Sequence, residues 1–229
     1  MEAFITRWRG KQGAERANYQ LFLSELCDAL KLSHPEPASD ETQHNAYVFE
    51  RAVTFHKPDG TTSIGRMDLY KRNCFVLEAK QYLEQIEQTA LELAVDPAPR
   101  KAAPKRGTSR WDDAMLKARG QAERYARALP ADEDPPPFLI VVDVGHSFEL
   151  FADFTQKGKA YLPFPDPASY RFKIEDLAKN EIRERLRAVW LNPTSLDPSR
   201  HAASVTREVA GHLAELAKSF EAEGHEPKL

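Results

Sequence analysis

Two periods of apolar and polar positions alternate along this 229-residue chain. Between residues 12 and 31, Tyr19, Phe22, Leu23, Leu26, Cys27 and Leu30 recur at helical spacing, which predicts one amphipathic helix. Pro35 and Pro37 prevent its continuation. Glu15 projects to the same side as Tyr19 and Leu26, where a carboxylate is costly without a partner. Gln20 and Glu25 lie at the margins of that face. Residues 46–56 are rich in aromatic and β-branched residues and predict a strand. Pro58-Asp59-Gly60 is a turn signal, and residues 61–70 return as a second strand. A polar turn at Lys71-Arg72-Asn73 leads to a third strand over 73–81, which completes an antiparallel meander. Helical spacing resumes over 81–93 and 111–129. Phe138–Val144 is a nearly continuous apolar run, the pattern of a strand buried on both faces. Gly145-His146-Ser147 reads as a turn and Phe148–Ala152 as the next strand. Residues 160–169 read as a connector, and 174–191 and 204–222 as two more helices. The prediction is an α/β protein with a mixed central sheet flanked by helices and a helical extension at its C-terminal end.

Composition narrows the class. A formal net charge of -3 argues against a generally basic nucleic-acid coat, although local patches can still bind phosphate. Cys27 and Cys74 are far apart and sit in apolar patterns, as reduced core thiols of a cytoplasmic protein do. There is no signal peptide and no apolar run long enough to cross a bilayer, so no membrane partner is expected. Two stretches concentrate basic charge. Arg7, Arg9 and Lys11 surround Trp8 in the first eleven residues, as a solvated terminal arm or a phosphate-contacting one. Arg100, Lys101, Lys105, Arg106 and Arg110 share a loop that has no acid after Asp96, which is either solvated or a nucleic-acid contact. Asp143 and His146 read as a strand-end polar residue and a turn residue.

The candidate chemistry lies in the second and third strands. Asp68 is followed nine residues later by Glu78, and Lys80 comes two after that. Alternation puts Cys74, Val76, Glu78 and Lys80 on one face, and Arg66, Asp68 and Tyr70 together on the neighbouring strand. With the turn at 71–73, Asp68 falls opposite Val76 and diagonal to Glu78, roughly 7–8 Å away between backbones. Two carboxylates at that distance can share a hard divalent cation, with the carbonyl of Ala79 as a third oxygen. A metal-bound water is a better nucleophile, and Lys80 can hold or deprotonate it or offset charge building on a phosphate.

These residues resemble the PD-(D/E)xK nuclease superfamily, whose core is a helix, a β-meander, a second helix and further strands. Asp68, Glu78 and Lys80 match its metal-and-lysine motif, although Met67 stands where the proline of the motif's name would be. Gln121-x-x-x-Tyr125 is similar to a motif of the RecB-like branch that lies near DNA and the active site. The superfamily often places an acid or a glutamine of the first helix near the metal, a position that Glu15 or Gln20 would fill. More closely, Arg16-Ala-Asn-Tyr-Gln20, Tyr47-Val-Phe-Glu-Arg51, Gly65-Arg-Met-Asp-Leu-Tyr70, Phe75-Val-Leu-Glu-Ala-Lys-Gln81 and Leu196-Asp-Pro-Ser-Arg200 resemble the N-terminal part of type IIG/IIL bifunctional restriction enzymes. That resemblance implies a restriction-endonuclease-like nuclease domain over residues 1–165 and a helical connector over 166–229. It implies an Mg²⁺-dependent DNA endonuclease, with Mn²⁺ as a substitute, acting on double-stranded DNA. It also implies methyltransferase and target-recognition domains beyond this piece of chain, since neither Asn-Pro-Pro-Tyr nor an S-adenosylmethionine glycine loop is present. S-adenosylmethionine would belong to that missing part. The alternatives are a catalytically silent DNA-binding or scaffold module, and a nuclease acting on RNA or DNA ends.

Overall fold

The structure is a computed structural model that describes residues 1–11, 15–41, 44–82 and 104–222; the side chains of 15–17, 201–205 and 221–222 are not described. Helix α1 (Glu2–Trp8) and helix α2 (Glu15–Leu30) precede strands β1 (Tyr47–His56), β2 (Thr62–Lys71) and β3 (Phe75–Lys80). Helix α3 (Ser109–Arg127) crosses to β4 (Phe138–Asp143), followed by β5 (Ser147–Ala152) and the short strands β6 (Leu162–Pro163) and β7 (Arg171–Lys173). A 3-10 turn (Ile174–Ala178), helix α4 (Asn180–Leu191) and helix α5 (Pro198–Ala222) close the order. β1 through β6 pair in sequence order, and β7 pairs with β5 beside β6. Every pairing is antiparallel except β3 with β4, which is parallel because α3 crosses over between them.

The expected meander, the long helix and the buried fourth strand are all present. β4 is buried at every position, as its unbroken apolar run requires. α3 begins earlier than its apolar pattern does, because the Thr108 side chain caps the Trp111 amide. The predicted helix over 81–93 lies outside the described residues from residue 83 onward. Three elements differ from expectation. The N-terminal arm is a helix that buries Phe4, Ile5 and Trp8. The connector contains β6, and β7 follows it on the same sheet. The single helix expected over 174–191 is a 3-10 turn and an α-helix, separated by extended backbone at Lys179.

Two apolar layers sandwich the sheet. One joins α1, α2 and α4 to Leu69, Phe75, Leu77 and Ala79; the other joins α3 to Met67, Tyr70, Val76 and Val141. α4 is bolted to the first layer: the Trp190 ring packs 4.3 Å from Phe75, and its Nε1 donates to the Tyr47 hydroxyl at 3.0 Å. The sheet and its core therefore continue past residue 165 and take in residues 171–190. α5 is exposed along its described side chains. Both cysteines are buried and unbridged, and burial pushes both thiols up. No helix among the described residues is long and apolar enough to cross a membrane.

Candidate active site

The β2–β3 turn sits one residue later than its polar residues suggest. The Cys74 amide donates to the Lys71 carbonyl at 3.0 Å, and Asn73 takes the left-handed φ of 59° that asparagine tolerates. Lys71 then pairs with Phe75, Tyr70 with Val76 and Leu69 with Leu77. Continuing that register one step places Asp68 directly opposite Glu78, which corrects the expected pairing with Val76. The regular ladder stops there. Instead of a backbone partner, the Ala79 amide donates to Asp68 Oδ2 at 2.7 Å. A buried amide must be satisfied, so Asp68 lets the two strands part without leaving Ala79 unpaired.

The parting of the strands has a counterpart on β1. Phe49 pairs with Leu69 and Arg51 with Met67, but Glu50 and Asp68 between them do not pair, and Glu50 has a left-handed φ of 53°. Strict alternation breaks at this point: Met67 and Tyr70, three apart, both enter the layer under α3. Arg66, Asp68 and Tyr70 therefore do not form one continuous face.

A cleft of about 690 Å³ opens over this break. Glu78 and Lys80 from β3, Asp68 and Arg66 from β2, and Gln121 and Tyr125 from α3 all line it. Lys80 Nζ lies 2.6 Å from Glu78 Oε1; the Glu78 side chain is 1% exposed and that of Lys80 20%. Gln121 Nε2 donates to the Tyr125 hydroxyl at 3.0 Å, which joins the Gln-xxx-Tyr pair on one helical face. Tyr125 stacks on Phe55, and Gly65 lies beneath both rings: a Cβ there would come within 2.6 Å of each.

From α2, Tyr19 and Gln20 reach the cleft; Glu15 opens that helix, but its side chain lies outside the described residues. Gln20 Nε2 donates to the Tyr19 hydroxyl at 3.0 Å, and that hydroxyl donates to Glu50 Oε1. Burial pushes the Tyr19 phenol up, as do its bond to Glu50 and the charges of Glu50 and Asp68, with Gln20 opposing. Sequence reasoning missed Tyr19 and Glu50 as site residues. The available signal was an adjacent acid and base, Glu50-Arg51, in the middle of an aromatic strand.

The two basic stretches are placed differently. Arg7, Arg9 and Lys11 lie beside the β4–β5 turn, at the same end of the sheet as Lys80. Gly10 donates to the Gly145 carbonyl, and Gly145 has no room for a Cβ, which would come 2.4 Å from the Trp8 carbonyl. The Gln81 side chain bridges the Lys11 carbonyl and Asn18. Arg9 and Lys11 are exposed, while Arg7 pairs with Glu25 at 3.0 Å. In the second stretch, Arg100 and Lys101 lie outside the described residues, Lys105 is half-buried and Arg110 is exposed. Arg106 does not belong to an exposed run. It is buried and clamps Asp143 through Nε and Nη2, both at 2.8 Å. Asp143 also accepts from Trp111 Nε1 at 3.0 Å, so it is structural, as its strand-end position suggested.

The donor set suits a hard divalent cation. Asp68 and Glu78 supply carboxylate oxygens across one pair of strands, and Mg²⁺ keeps several of its waters, so it needs few protein ligands. Among the described residues no three His, Cys, Asp or Glu side chains converge on one point as they stand.

A helix, a three-stranded meander, a crossover helix and a parallel fourth strand, with the acid–acid–lysine cleft where the strands part, define a restriction-endonuclease-like fold. The family model of the MmeI N-terminal domain matches residues 1–223, and the chain belongs to that family, the N-terminal domain of type IIG restriction-modification enzymes. No curated protein and no solved structure matches the chain.

Proposed function

We propose that this chain is the Mg²⁺-dependent DNA endonuclease module of a restriction-modification enzyme, with Mn²⁺ able to substitute. The observation that carries the reading is the β2–β3 register, which sets Asp68 across from Glu78 with Lys80 held on Glu78. Asp68 and Glu78 would hold the cation, with the Ala79 carbonyl as a further oxygen. A bound divalent cation supplies an activated water and offsets charge on the phosphate. Lys80 positions that water and stabilises charge developing on the scissile phosphate. Gln121 and Tyr125 form the wall against which the phosphodiester backbone lies. Arg7, Arg9, Lys11 and Arg110 contact phosphates of double-stranded DNA beyond the cleft. Methyltransferase and target-recognition domains, with S-adenosylmethionine, complete the enzyme in its full-length form, and the cytoplasm is its compartment. In this reading the nuclease domain spans residues 1–165 and the connector 166–229, although β7 and α4 pack on the nuclease core.

A supercoiled-plasmid assay with Mg²⁺, Mn²⁺ or chelator tests the proposal. The expected result is metal-dependent nicking and linearisation, reduced on the order of 10²–10³-fold by Lys80→Ala, the loss of one preorganised charge. Equal cutting by wild type and Lys80→Ala would place the chemistry elsewhere. If wild type does not cut, calorimetric cation titration of wild type, Asp68→Asn and Glu78→Gln decides. Binding lost in both variants supports the cation site, and no binding by wild type favours a silent DNA-binding module.

A further inference from the structure

We infer that Glu50 is a further carboxylate of the cation site, held away from it by Tyr19 until the cation arrives. The inference rests on the reading of the cleft as a divalent-cation nuclease site, and adds a residue to it that the Asp-x9-Glu-x-Lys spacing does not contain.

Three features place Glu50 there. The pairs Phe49–Leu69 and Arg51–Met67 bracket Glu50 and Asp68, so these two acids face each other across the lapse in the ladder. Glu50 adopts a left-handed backbone that an ordinary strand residue avoids, and such conformations collect at functional sites. It lines the same cleft as Asp68, Glu78 and Lys80.

Tyr19 accounts for why the acids do not already converge. Its ring is 3% exposed in the core between α2 and the sheet, so the phenol comes from a rigid support. The hydroxyl donates to Glu50 and accepts from Gln20, which makes both of its bonds within the cleft wall. A carboxylate engaged by a neutral phenol has a weaker partner than a divalent cation, and glutamate has the side-chain freedom to change partners. Residues that orient or complete a metal site commonly change cation affinity 10–100-fold when altered.

The test is calorimetric titration with Mn²⁺ alone, without DNA, on wild type, Glu50→Gln, Tyr19→Phe, the double variant and Asp68→Asn, with thermal unfolding of each as a fold control. Glu50→Gln is expected to weaken Mn²⁺ binding roughly 10-fold. Tyr19→Phe is expected to tighten binding, because the carboxylate no longer leaves a hydrogen bond behind, and to have no effect once Glu50 is already Gln. Unchanged affinity in Glu50→Gln, with Asp68→Asn weakened, would overturn this inference and leave the nuclease reading intact. Unchanged affinity in Asp68→Asn as well would overturn both. Weaker binding in Tyr19→Phe would overturn the restraining role of Tyr19. If Glu50→Gln does not fold, Glu50→Asp keeps the charge and shortens the reach; it is expected to bind more weakly than wild type, and equal binding would overturn the inference.

Discussion

Two acids lie on adjacent strands, two residues apart in register, and the fold uses them in opposite ways. Lys80 on β3 pairs with Asp143 on β4, so Glu78 and Asp143 sit at the same end of the sheet, and both are buried. Asp143 receives Arg106 twice, Trp111 Nε1 and, at 3.3 Å, the Tyr82 amide, all from fixed positions. Glu78 carries the Lys80 ammonium and lines a cleft that it shares with Asp68. A buried carboxylate surrounded by fixed donors is a tie between elements, here the start of α3 and the ends of β3 and β4. A buried carboxylate beside a second acid and a cleft is, in the reading proposed above, a place for a cation. Donor geometry therefore distinguishes structure from chemistry where residue type and burial do not. The Arg51–Glu133 pair belongs with Asp143. Burial would raise the Glu133 carboxyl, but bonds from Arg51 and Tyr70, together with the charges of Arg51 and Arg72, hold it below the usual range.

Breaking the structural acid should have the largest effect. Asp143→Ala leaves Arg106 as a buried charge without its partner, and is expected to cost about 3–5 kcal/mol of stability. Denaturant unfolding checks this, and a loss under about 1 kcal/mol, the scale of an exposed pair, would erase the contrast with Glu78. The same measurement on Lys80→Ala, which removes the partner of the buried Glu78, separates any loss of stability from the loss of cleavage. Gly65→Ala comes next. Its added methyl meets the Phe55 and Tyr125 rings, and overpacking of this kind costs about 1–3 kcal/mol. Because Tyr125 lines the cleft, cleavage should fall along with stability, whereas an Ala that left both unchanged would show that the Gln121–Tyr125 wall is not tightly held. The smallest effect is expected at the rim. Replacing Arg7, Arg9 and Lys11 with Gln should lower the slope of log affinity against log salt by about 0.9 for each phosphate that is no longer neutralised. Changing Arg106 instead should act on folding, since it faces Asp143. An unchanged slope in the triple variant would make the N-terminal residues a structural strap only.

The site was legible in the chain to the extent that its spacing is local. Asp68, Glu78 and Lys80 lie within one hairpin, so their short separation in sequence keeps them close, although period-two alternation breaks at Asp68 and does not by itself assign its face. Gln121 and Tyr125 are one helical turn apart, so their shared face was also a local fact. The partner of Asp68 was not legible, because shifting a tight turn by one residue moves every cross-strand pair, and polar residues at 71–73 do not say which of them closes the ladder. Arg106 and Arg110 are four residues apart in one basic stretch, yet one is buried ahead of α3 and the other exposed in its first turn.

The sequence by itself determined the meander, the long helix before β4, the buried character of β4 and the acid–acid–lysine spacing, because periodicity and hairpin geometry act over a few residues. Only the tertiary structure decided that α1 and β7 belong to the body, that Glu50 and Tyr19 meet at the cleft, and that Asp143 is a tie while Glu78 lines the cleft. Those outcomes depend on contacts between residues 31 to 37 or more positions apart, where no local period operates and the packing of α2 and α3 on the two faces of the sheet decides which side chains share a space.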